Sequence, residues 1–132
     1  MLGWVGDIEK ETRDNGAFRT ALWTGGHAQL TLMSLKPGED IGLEAHPHLD
    51  QFLRVEQGRG RVELGRTEES VDETYDVEAD WAIVVPAGVW HNLVNTGDEE
   101  LKLYSLYAPP EHPEGTVHRT KAEAEAAEHD HH

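Results

Sequence analysis

The 132-residue chain contains no cysteine. That absence removes disulfides and thiolate ligands together, so any metal must sit on histidine, carboxylate, amide or water. Basic residues are scarce as well: 11 Lys and Arg stand against 26 Asp and Glu, for a formal net charge of -15. Such a surface repels phosphate backbones, and nucleic acid is not an expected partner. No apolar run approaches the roughly 18–20 residues needed to span a bilayer, and the mean hydropathy is -0.63; membrane insertion is not expected. The opening MLGWVGDIEKETRDNG is charged early and lacks the apolar core of a signal peptide, so a cytoplasmic location is expected. Internal repeats and linkers are also missing. The chain reads as one domain, long enough to bury roughly two-thirds of its unfolded surface.

What is present is a succession of short strands marked off by turns. Asp7 to Asn15 is polar with a helical lean and is stopped by Asn15-Gly16. Phe18–Thr24 and Gln29–Leu35 read as a hairpin parted by Gly25-Gly26. Strands are predicted over Phe52–Val55, Arg59–Leu64, His91–Val94 and Leu101–Tyr107, the last with Leu101, Leu103, Ser105 and Tyr107 on one face. Trp81–Val85 is nearly continuously apolar and reads as a fully buried strand before the Pro86-Ala87-Gly88 turn. The acidic stretch Arg66–Asp80 is expected to be a loop with one short strand near Tyr75. Thr120 and Glu123 make a capping-box pattern at the head of an Ala/Glu-rich terminal helix, whose apolar stripe is so thin that weak docking is expected. Many short strands at this spacing suggest an all-β sandwich or barrel. The expected division is an N-terminal arm over 1–16, a barrel over 17–110 and an extension over 111–132.

Metal-binding donors are concentrated in one place: Glu44, His46, His48, Asp50 and Gln51 fall between Gly38 and Gly58, with His91 in a second stretch, Asp80 to Asn95. Residues two apart on a strand share a face, so Glu44 and His46 can both point inward. The two stretches resemble the paired motifs of the cupin superfamily. Gly38, Glu44, His46, Gln51 and Gly58 fall on the spacing of G-x5-H-x-H-x3,4-E-x6-G, with Glu44 and Gln51 replacing a usual His and Glu. Pro86, Gly88, His91 and Asn95 fall on G-x5-P-x-G-x2-H-x3-N, with Asp80 in place of the first Gly.

The resemblance implies a jelly-roll barrel, a double-stranded β-helix of two antiparallel sheets, holding one divalent metal on Glu44, His46, Gln51 and His91. Zinc, iron, manganese, nickel and cobalt all suit such a mixed nitrogen and oxygen set. His48 shares the alternation of His46 and is the alternative to Glu44, or else a residue of the rim. Asp50 either orients a liganding His or caps a turn. Trp90 and Tyr107 line a pocket mouth or belong to the core. His112 and His118 are expected to be exposed, and His129-Asp130-His131-His132 to be a frayed terminus.

The resemblance leaves function open between a metal-dependent isomerase on a small sugar-like molecule, a non-haem iron oxygenase and a non-catalytic binding module. The donor set is similar to that of the phosphomannose isomerases, which combine two His, one Glu and one Gln. No cluster of inward-pointing Lys or Arg is evident that would hold a phosphate, and no residue stands out as a nucleophile or an independent general base. Phe52, Arg54 and Glu56 should face away from the metal, and they suggest a homodimer formed through that face.

Overall fold

The computed structural model describes residues 2–130, so His131 and His132 of the terminal histidine cluster lie outside the described residues. The chain runs through α1 (Ile8–Asp14), β1 (Arg19–Thr24), β2 (Gln29–Leu35), β3 (Asp50–Gln57), β4 (Arg59–Gly65) and β5 (Glu73–Glu78). It continues through β6 (Ala82–Val85), β7 (Trp90–Asn95), β8 (Leu101–Ala108), β9 (Val117–His118) and α2 (Lys121–Asp130). Two antiparallel sheets result, one in the order β6-β3-β8-β2-β1-β9 and the other β5-β4-β7. This is an all-β, two-sheet architecture: the spacing of turns and strands suggested a sandwich or barrel, and the resemblance implied the two antiparallel sheets of a jelly roll.

Alternation sets the core. On β8 the face carrying Leu101, Leu103, Ser105 and Tyr107 is buried between the sheets, where Leu35, Val55 and Leu93 meet it. Each such aliphatic side chain contributes about 1.5–3 kcal/mol on burial.

Where only one face of a strand is covered, an apolar run is not buried throughout. Trp81–Val85 was expected to form a fully buried strand, yet β6 lies at the edge of the large sheet, with Ile83 and Val85 inward and Val84 65% exposed. The acidic segment supplies the outer strand of the small sheet, β5, from which Val77 alone is buried.

Both helices are capped, α2 by the pair that its sequence predicts. The Asp7 side chain accepts from the Lys10 N–H at 3.1 Å, and Thr120 and Glu123 bond each other's backbone N–H. Helix α1 packs across β3 and β8, and the Lys102 ammonium donates to the carbonyls of Arg13 and Asn15 beneath it. Glu56 therefore differs from expectation: it faces away from the barrel interior but is buried, 3.0 Å from Arg54, at the end of β3 near α1. Helix α2 also docks more closely than its composition suggested. Ala124 is 3% exposed and joins the core beside Phe18 and Ile41, and Lys121 pairs with Asp40. A small side chain achieves this because it lets the helix approach the barrel end closely. Among the described residues no helix is long and apolar enough to cross a membrane.

Candidate metal centre

The site is built where residues 38–44 run beside β7. The Ile41 N–H donates to the Leu93 carbonyl at 3.0 Å, and Glu44 and His91 exchange both backbone hydrogen bonds, at 3.1 and 2.9 Å. Gly42 interrupts this pairing with φ 95, a left-handed conformation suited to glycine, and its N–H goes to the Asn92 side chain. The donors Glu44 and His46 are thus not on a regular strand, as the alternation implied, since β3 begins only at Asp50. Backbone pairing to β7, rather than strand periodicity, sets Glu44 opposite His91. The turn between β6 and β7 is fastened to the same segment: the His46 carbonyl accepts from Gly88 N–H and the Asp50 carboxylate from Ala87 N–H, both at 2.9 Å.

The donor atoms converge. Glu44 Oε1 lies 3.3 Å from His46 Nε2 and 3.6 Å from His91 Nε2, and ligand atoms of the three residues all lie within 4.8 Å of one another. His91 Nδ1 faces the Val89 carbonyl at 3.1 Å. A carbonyl only accepts, so Nδ1 carries a proton there, and Nε2 is the atom that faces Glu44.

His46 Nε2 and His91 Nε2 are buried without a hydrogen-bond partner, and so is Gln51 Oε1, whose amide nitrogen donates to Ser105 Oγ at 3.3 Å. Such orphaned groups cost about 1–3 kcal/mol each unless something else meets them. Burial pushes the Glu44 carboxyl up, but the two imidazoles outweigh that and hold it at about 2. Burial lowers the His46 pKa, and Glu44 and Glu111 more than reverse it. The cluster of one carboxylate and two imidazoles is compatible with a metal site.

A cleft of about 480 Å³ opens beside this cluster, and its walls include Arg19, Glu44, His46, Glu111, His112 and His118. Glu111 Oε2 stands 3.6 Å from His46 Nδ1, on the side of the ring away from Glu44. Tyr107 is 1% exposed and meets the rings of both His46 and His112 edge to face, at 6.0 and 5.4 Å.

The expectation that His112 and His118 would be exposed is overturned. The strand β9 pairs with β1 and folds the segment after the barrel over the cleft, leaving both histidines half-buried. Burial, reinforced by the Arg19 charge, lowers the pKa of His112 to about 3 and that of His118 below its ordinary value.

Residues 31–107 match the Cupin domain family. The chain belongs to the cupin family. Among its relatives is the uncharacterized protein YrkC of Bacillus subtilis, 62% identical over 125 residues that make up 95% of this chain and 67% of that one. The polyketide synthase CurC of Streptomyces cyaneus is 32% identical over 111 residues, 80% of this chain and 67% of CurC. A crystal structure from Bacillus halodurans superposes with a TM-score of 0.92 at 62% identity, covering 93% of each chain.

In this cupin the motif positions divide by task. Glu44, His46 and His91 come together, and Gln51 is 2% exposed on β3, opposite Tyr107 in the sheet register. His48 is exposed and stands apart from the cluster, and Asp50 serves the turn. Tyr107 belongs to the interior, while Trp90 is half-buried on β7. Asn95 is structural, its amide donating to the carbonyls of Leu35 and Glu99 and its oxygen accepting from Gly97 N–H. Asp80, which replaces the first motif glycine, has φ 77, a left-handed conformation that Asp tolerates better than most residues.

Sequence reading missed Arg19 and Glu111. Neither lies in a motif; the β1–β9 pairing, itself too short to predict, and the Gln29 side chain, which holds the backbone of Glu111 and His112, bring both to the cleft.

Proposed function

We propose that Glu44, His46, Gln51 and His91 hold one divalent metal ion. On this reading the cupin is a metal-dependent enzyme of the isomerase type, acting on a small oxygen-rich molecule that enters the cleft. The observation that carries the reading is the set of three buried, unpartnered donor atoms, His46 Nε2, His91 Nε2 and Gln51 Oε1, in a chain where Glu44 supplies a carboxylate beside the imidazoles.

The ion would act as a Lewis acid on a carbonyl or enediolate oxygen. The chain's own residues prepare the site. Val89 fixes the His91 tautomer, Glu111 orients His46 from behind, and Tyr107 closes the inner wall against water. The relative named polyketide synthase CurC supports an oxygen-rich carbon chain as the ligand class. A second reading, a non-haem iron oxygenase, draws support from the composition of the cluster, two histidines and one carboxylate.

Metal analysis of protein purified without a histidine-affinity step is expected to find one divalent ion per chain. Oxygen consumption by the iron-loaded protein separates the two readings: no uptake supports the isomerase type, and substrate-dependent uptake the oxygenase. A preparation that binds no divalent ion above background overturns both.

We also propose a homodimer formed through the outer face of the large sheet. Val84, Phe52 and Leu106 are neighbours across β6, β3 and β8, with Val84 and Leu106 exposed. Light scattering at micromolar concentration is expected to give twice the chain mass of 14.8 kDa, and Leu106→Glu to return it to one chain. A wild-type monomer at every concentration would remove the proposal.

A further inference from the structure

We infer that Arg19 anchors a carboxylate group of the molecule that binds in the cleft. This deepens the reading above by naming the ligand as a short oxo- or hydroxy-carboxylate, with its acid group on Arg19 and a second oxygen directed to the metal donors. Arg19 projects from β1 at the lip of the cleft and is 3% exposed. Its guanidinium sits over the Phe18 ring at 5.4 Å and makes one long contact, Nη1 to His118 Nδ1 at 3.4 Å, while Nε is buried with no partner.

A guanidinium does not deprotonate in a protein, and Arg19 is buried with no carboxylate in ion-pair contact, which leaves its N–H groups available to a ligand's oxygens. Among the described residues Arg19 forms no ion pair, although carboxylates share its cleft. Glu44 is engaged with the two imidazoles and Glu111 with the far nitrogen of His46. Glu128 reaches the wall from α2 but forms no ion pair with Arg19 either.

Two features choose the ligand. On its other side Arg19 borders a void of about 70 Å³ beneath α2, too small for more than water, so the ligand side is the cleft. The planar fork of a guanidinium matches a carboxylate in two parallel hydrogen bonds. A phosphate dianion would bring a second negative charge against Glu111 and Glu128 with no second cation among the cleft residues to offset it. The carboxylate is therefore favoured.

The test uses glycolate, its neutral amide glycolamide and inorganic phosphate, titrated into metal-free wild-type protein and into Arg19→Met. Dissociation constants and the side-chain Nε–H resonance of Arg19 are read together. Glycolate should bind wild type at least about tenfold more tightly than either glycolamide or phosphate, and should shift the Nε–H signal. Arg19→Met should lose at least about tenfold in glycolate affinity, about 1.4 kcal/mol, with glycolamide unchanged. Equal glycolate binding by wild type and variant would overturn the assignment. Equal binding of glycolate and glycolamide by wild type would overturn it too, and that comparison holds even where Arg19→Met does not fold. Because these titrations are metal-free, a chain that fails to bind any divalent ion defeats the metal reading separately from the Arg19 assignment.

Discussion

Alanine at position 44 should weaken divalent-metal binding at least about tenfold, roughly 1.4 kcal/mol, whereas alanine at position 48 should change it far less. Residue type alone would rank the two the other way, since imidazole is the more usual donor at the early motif positions. Geometry reverses that ranking. Glu44 presents Oε1 within 3.6 Å of both imidazole nitrogens, and its backbone is locked to His91, while the His48 side chain is exposed outside the cluster. Charge adds to the difference, because a divalent ion on imidazoles and an amide alone would keep its full charge in a buried place, and Glu44 offsets part of it. Competition titrations should be made on protein from which His129, His131 and His132 have been removed, so that terminal chelation does not contribute. If His48→Ala proves the more damaging change, the assignment of Glu44 as a ligand is wrong.

The second large effect belongs to a residue that touches no ligand. Gly58 joins β3 to β4 with φ 91, and a Cβ there would stand 2.8 Å from the Glu100 carbonyl oxygen and 3.1 Å from the Leu101 Cα. Both obstacles are backbone, and the second lies at the start of a strand in the middle of the large sheet. Gly58→Ala should cost about 2–4 kcal/mol through the combined strain and overlap, lowering the thermal midpoint by about 10 °C. Gly26→Ala is the control, because nothing lies within 4 Å of its built Cβ and its φ is not in the left-handed region. It should move the midpoint by no more than about 2 °C. Similar midpoints for the two variants would show that the β3–β4 junction is softer than its geometry implies.

These two residues show what could be read from the chain in advance. Strands such as β7 and β8 were legible because one face of each meets the core, and burial writes itself into alternation. The motif glycines and Asn95 were legible as spacing, though only the structure shows that they hold turns while the histidines and Glu44 carry the chemistry. Asp80 gave a false discord: its type departs from the motif, yet its backbone adopts the conformation a glycine would. The cleft was much less legible. Arg19 looks like an ordinary first strand residue, and Glu111 and His112 lie in a proline-rich stretch without periodicity. Their meeting depends on a two-residue strand and on the buried Gln29 side chain that holds the backbone at Glu111 and His112, contacts settled by the tertiary fold. The docking of α2 was hidden for a similar reason, since one alanine makes almost no mark on an amphipathic pattern.

The paired backbone of Glu44 and His91 has a consequence for which ions can enter. Two donors carried on separate flexible loops can spread apart to suit a large guest, but these two are tied to each other through a pair of amide hydrogen bonds, and His46 is tied to the neighbouring turn. The main chains that carry these donors are consequently held at one separation. Calcium seeks six to eight oxygens in an adaptable cage, and magnesium surrenders its water reluctantly. A cluster of two imidazoles and one carboxylate matches neither preference. Were a metal seated there as proposed, two imidazoles beside one carboxylate would favour a transition metal over calcium or magnesium by donor type.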